Sequence, residues 1–132
     1  MHPARLVRVK AKAGAIDRRG IGLEAEQRAA ALLEDAGFRV LRRNYHCRTG
    51  ELDIVAQRQE LLVVAEVRLR ARDDFGGAAA SITHEKRRRI VRVTRNLLRR
   101  QPALAQLYVR FDILLLSARG GPIEWIEAAF DA

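Results

Sequence analysis

The stretch that most restricts the fold is "LLVVAEVRLR", residues 61–70. Successive side chains of a strand point to opposite faces. Leu61, Leu62, Val63, Val64 and Ala65 are therefore apolar on both faces. Such a strand belongs inside a sheet covered on both sides, the arrangement of α/β proteins. The run then breaks at Glu66, and Arg68 follows two residues later. A carboxylate at the end of a doubly buried strand requires a partner.

The flanking segments supply the covering layers. Gly20 to Ala36 reads as a helix, with Ala and Leu at helical spacing and Gly37 at the C-cap position. Phe38 to Arg43 alternates as a strand, and Asn44 to Gly50 reads as a polar loop. Glu51 to Gln57 and Leu61 to Arg68 form two strands joined by a short turn. Arg70 to Ala80, with paired Asp and paired Gly, reads as a loop. Glu85 to Arg100 is a second helix with Ile90, Val93, Thr94 and Leu97 as its apolar stripe, and Pro102 ends it. Tyr108 to Leu116 and Ile123 to Phe130 are strands around a turn at Ser117 to Pro122. The expected order is helix, three strands, helix, two strands: one α/β domain over 20–132, preceded by a flexible basic arm over 1–19. At 48% hydrophobic residues, the 132-residue chain can fill its own core.

If the tight turn holds Gln59 and Glu60, residues i and 119 − i oppose each other across the hairpin. Asp53 then faces Glu66, and Glu51 faces Arg68. Leu52, Ile54, Ala56, Leu61, Val63, Ala65 and Val67 take the opposite face. Opposed side chains have Cβ atoms about 4.5–5.5 Å apart. Two carboxylates that close need a proton or a cation between them, and a hard divalent ion with oxygen ligands suits them. The other reading is a salt-bridge network of Glu51 with Arg68 and of Glu66 with another arginine. A third acid, Glu26, shares the apolar stripe of the first helix with Gly22, Ala29, Ala30 and Leu33. It either points inward or curls to water.

The formal charge is +9, and arginine provides 22 of the 25 basic residues. Lys86, Arg87, Arg88, Arg89, Arg92, Arg95, Arg99 and Arg100 crowd the second helix against one acid, Glu85. A helix this basic suits nucleic-acid phosphates, with salt-dependent affinity. Arg48, with Tyr45 and His46 in the loop before Gly50, is a further backbone contact or part of a simple turn. Lys86 continues the apolar stripe, so it either reaches the acids or snorkels to solvent. Asp112 either supports the site or pairs with an arginine. A single cysteine, Cys47, rules out an internal disulfide framework and fits a reducing cytoplasm. No apolar run is long enough for a membrane span.

Four motifs, "GLEAE" at 22–26, "GELDIV" at 50–55, "AEVR" at 65–68 and "RFDILL" at 110–115, occur in order. Together they resemble the bacterial YraN-type family of small uncharacterised proteins. That family is similar to the restriction-endonuclease-like superfamily with the PD-(D/E)xK signature, and to archaeal Holliday-junction resolvases. The resemblance implies a mixed sheet flanked by helices. It also implies a metal site of Glu26, Asp53 and Glu66 taking Mg²⁺ or Mn²⁺, and a DNA substrate, branched or otherwise structured. The superfamily's catalytic lysine falls on Arg68. Arginine stays protonated and cannot act as a base, but it can clamp a phosphate. Glu26, Asp53, Glu66 and Arg68 are thus the candidate catalytic residues. A homodimer would fit cleavage of both strands. The alternatives are a relative that binds nucleic acid without cutting and a basic accessory protein with a protein partner.

Overall fold

The structure, a computed structural model, describes residues 6–11, 20–70, 82–117 and 120–132, with the backbone alone for 6–11 and 20–22. Most of the expected arm and of the loop after Arg70 lies outside these residues. The elements are β1 (Leu6–Ala11), α1 (Gly20–Asp35), β2 (Arg39–Cys47), β3 (Gly50–Arg58), β4 (Leu61–Arg70), α2 (His84–Arg100), a 3-10 turn (Pro102–Gln106), β5 (Tyr108–Ser117) and β6 (Gly121–Phe130). They build one six-stranded sheet in the order β1-β6-β5-β4-β3-β2. Among the described residues only β4 and β5 run parallel, and α2 is the crossover between them. This is the expected mixed α/β sheet with its two helices.

The central strand is β4. Its Val63 and Ala65 pack with Ile54, Leu114, Trp125 and the Ala25, Ala29 and Leu33 stripe of α1. Its Leu62 and Val64 pack with Val55, Ile113, Phe111 and the Ile90, Val93 and Leu97 stripe of α2. Both faces of the apolar run are thus covered, one helix to each. α1 ends at Gly37, φ +91°. There the Phe38 N–H donates to Leu33 O (3.0 Å) and the Gly37 N–H to Glu34 O (2.9 Å), a Schellman cap. At the other helix, Thr83 Oγ1 accepts the Lys86 N–H (3.2 Å), which fixes the first turn of α2 and with it Lys86.

The β3–β4 register is the expected one: Arg58 pairs with Leu61 and Ile54 with Ala65, around a turn at Gln59 and Glu60. Three elements differ from expectation. The loop expected over Asn44 to Gly50 is instead a continuation of β2 to Cys47, closed by a two-residue turn at Arg48 and Thr49. A bulge between Val40 and Arg42, and a left-handed Asn44 (φ 54°), break the alternation that marks a strand in the sequence. Leu6–Ala11, within the expected arm, is an edge strand antiparallel to β6. Its Leu, Val and Val suit a strand, but six residues among many charges gave a weak signal. Leu52 joins the α2-side cluster instead of following Ile54 to the α1 side. It lies beyond the last β3–β4 pair, where the two strands part.

Asp112 is a structural carboxylate. It is fully buried and accepts two bonds from Arg110 (2.9 Å each), one from Trp125 Nε1 (2.9 Å) and one from the Ala128 N–H (3.0 Å). These hold the irregularity where the β5–β6 pairing shifts between Phe111 and Ile113. Of its two readings, pairing with an arginine is the one observed.

Candidate acidic site and arginine ridge

The β3–β4 ladder stops at Ile54 and Ala65, one pair short of Asp53 and Glu66. In place of the next rung, Asp53 Oδ2 accepts the Val67 N–H (2.8 Å). Asp53 thus lies in the opening between the parting strands. Glu66 is 4% exposed and follows Leu62 and Val64 on the α2 side. Its Oε1 lies 3.7 Å from Lys86 Nζ, while its Oε2 is buried with no hydrogen-bond partner. Glu26, 5% exposed, comes from α1 and accepts a 2.8 Å bond from Asn44 Nδ2. Of the two readings of Glu26, the inward one holds.

Electrostatics tie the three acids together. Burial, reinforced by Asp53, pushes the Glu66 carboxyl up to about 8, against the pull of Lys86. Burial also raises Asp53, opposed by the Val67 N–H and by Lys86. Glu26 is raised by burial and further by the charge of Asp53, with the Asn44 bond opposing. The Lys86 ammonium is half exposed and not in tight contact, so it offsets only part of the desolvation. Near neutral pH the pair of carboxyls therefore holds a proton or needs an added cation. Among the described residues, no three His, Cys, Asp or Glu side chains converge into a ready-made metal cage. Asp53 and Glu66 form the pair, and Glu26 approaches from the α1 side.

One expected contact is rearranged. Glu51 does not oppose Arg68 in the ladder; its Oε2 lies 3.1 Å from His46 Nδ1 at the exposed β2–β3 hairpin. The ladder has ended before Glu51, and the hairpin brings His46 across to it. Arg68 lies half-buried on β4 beside Leu115 of β5, two residues beyond Glu66. Of the two readings of Lys86, reaching the acids is the one observed.

The basic residues of α2 divide by face. Arg88, Arg92, Arg95 and Arg99 are exposed on the side away from the core. Arg87 turns inward: its Nε donates to Ile82 O (3.0 Å), and its guanidinium lies 5.6 Å from the centre of the Phe130 ring. Arg89 stands 3.7 Å from Glu85 and covers Gly50. Arg48 is exposed in the β2–β3 turn. Asn44 touches Glu26 and His46 touches Glu51, contacts that local sequence spacing does not mark. Asn is tolerated in left-handed backbone, but no local spacing connects position 44 with position 26.

The model of uncharacterised protein family UPF0102 matches residues 25–116. A UPF0102 protein of Dechloromonas aromatica is 48% identical over 111 residues, covering 84% of this chain and 88% of the relative. Those of Saccharophagus degradans and Nitrosomonas europaea are 45% and 44% identical, over 83% of this chain and 91% and 92% of the relatives. The family match covers α1 from Ala25 onward, the acidic hairpin, α2 and most of β5. Among the described residues, no helix is long and apolar enough to cross a membrane.

Proposed function

The chain belongs to the uncharacterised protein family UPF0102, the YraN-type family, and from that premise we propose that it is a metal-dependent nuclease acting on DNA. The observation that carries the reading is Glu66. A buried carboxylate with an orphaned oxygen stands beside Asp53 and an ammonium from α2, the helix whose outer face carries the exposed arginines. A structural ion pair would satisfy both oxygens; this arrangement instead leaves one lone-pair site for a cation.

Asp53 and Glu66 would hold a Mg²⁺ or Mn²⁺ ion, with Glu26, which feels the charge of Asp53, contributing from the α1 side through a water. Two carboxylates fit a hard ion that keeps several waters and shares its remaining positions with a phosphate. When bound, such an ion activates a water and neutralises charge building on the phosphate. The protein's own residues do the rest. Val67 N–H and Asn44 Nδ2 fix the carboxylates. Arg68, permanently charged, binds the scissile phosphate. Lys86 supplies from α2 the ammonium that the superfamily signature places on the strand, and it orients the attacking water. Arg88, Arg92 and Arg95 hold the flanking backbone, and Arg48 touches it from the hairpin.

Similarity to the junction resolvases adds branched DNA as a substrate class, and cutting both strands of such a substrate calls for a homodimer. The single free cysteine supports a cytoplasmic setting. Arg68 in the lysine position favours a second reading, a nuclease relative that binds without cutting.

Labelled single-stranded, duplex and four-way-junction DNA, incubated with Mg²⁺, Mn²⁺ or EDTA, separates the two. Metal-dependent cutting is expected, absent in Asp53→Ala and Glu66→Ala and reduced roughly 10²–10³-fold in Lys86→Met. Binding without cutting in every metal would replace the nuclease with the binding protein.

A further inference from the structure

Far from the acids, where β3 turns into β4, a groove of about 780 Å³ opens between α2 and the ends of β5 and β6. Its floor includes Phe111 and Phe130, stacked at 4.9 Å. Val91 and Leu98 line it from the flank of α2. Tyr108 stands at its edge and is 73% exposed, one of two large exposed hydrophobic residues among those described. The Tyr108 backbone is fixed by its N–H bond to Glu60 O (2.8 Å), so the ring is presented on rigid strand.

We propose that this groove receives an unpaired base of a single-stranded segment, stacked on Tyr108, with its phosphate outside on Arg95. The inference rests on the nucleic-acid reading of the acidic site and names the strand form that site prefers. Charge inside the groove selects the occupant. Arg58 is committed to Ala36 O (2.8 Å) and to the Phe38 ring, and Arg110 to Asp112. Glu60 and Asp131 are acidic. Of the three arginines that line the groove, Arg95 is the one not held by such contacts; it suits a single phosphate at the rim, but an acidic peptide lying along Glu60 and Asp131 would be repelled, whereas a flat base needs only apolar and aromatic walls. Arg95, exposed at the α2 side, takes the backbone where it passes the lip. From there Arg92 and Arg88 continue along the exposed outer face of α2, so the groove opens onto the arginine ridge.

The test uses the full chain in EDTA, so that nothing is cut, and reads anisotropy of two fluorescein-labelled probes: a twelve-nucleotide oligothymidylate and a blunt twelve-base-pair duplex. Tyr108→Ala is expected to weaken the single strand about tenfold, while duplex binding changes less than about twofold. Tyr108→Phe, which keeps the ring, is expected to match the wild type on both probes. Equal losses on both probes, or none on the single strand, would overturn the groove while leaving the nuclease reading in place. A wild-type chain that binds neither probe would overturn the groove as well, and the nuclease reading is then judged by four-way-junction cutting alone.

Discussion

Glu66 holds its proton to higher pH in the folded chain than in the unfolded one. Burial and the neighbouring Asp53 both disfavour its charge, and Lys86 offsets them only in part. Linkage then sets the sign. From its ordinary 4.5 up to about 8, the folded chain binds a proton that the unfolded chain has released. Metal-free protein should therefore lose stability as pH rises through that window and level off above it, with Asp53 adding in the same direction. Glu66→Gln removes the charge and should flatten the profile. Melting temperatures in EDTA from pH 4.5 to 9 check this, and a wild-type profile as flat as the variant's would contradict it. At this scale the sequence was informative about Asp53 and Glu66, because one turn length fixes which residues oppose. It was silent on Asn44 holding Glu26, an 18-residue separation that only the packing of α1 on the hairpin closes.

The β2–β3 hairpin and α2 form a second unit of the site. Gly50 adopts φ +148°, and a Cβ there would lie 3.2 Å from Arg89 Cδ and 3.3 Å from Val93 Cγ2. Gly is needed on both counts: the conformation is nearly closed to other residues, and α2 packs against the bare backbone. Tyr45, whose hydroxyl donates to Asn96 Oδ1 (2.5 Å), joins the same two elements. Gly50→Ala should destabilise the fold by about 1–3 kcal/mol and shift the hairpin that carries Glu51 and His46. Urea midpoints measure the first effect; a midpoint equal to wild type would show that the contact relaxes freely. The hairpin itself was hidden in the sequence because a bulge and a left-handed Asn44 disturb its period of two. α2 was plain, since Ile90, Val93 and Leu97 keep strict helical spacing under a basic exterior.

For the whole molecule, the layering followed from one strand: an apolar run filling both faces requires helices on both sides, and α1 and α2 supply them. The far groove had no local signal, because it joins residues from α2, the β3–β4 turn, β5 and β6. If the ridge on α2 carries the backbone, affinity for duplex DNA should fall with salt. Arg92→Ala should then lower the slope of log K against log salt by about 0.9 if that residue makes one phosphate contact. Arg58→Ala, whose guanidinium is committed to Ala36 and Phe38, should leave the slope unchanged. Titrations at several salt concentrations decide it, and equal slopes for all three proteins would exclude the ridge from the contact.

At one border of the sheet, among the described residues, no strand lies beyond β2. Its bulge bends the unpaired backbone, and Arg39, Arg42 and Arg43 stand exposed along it. An edge both kinked and cationic is a poor template for a further strand. Copies brought side by side along a polyanion would meet there as like charges, so they could crowd onto a common thread without zipping into fibres.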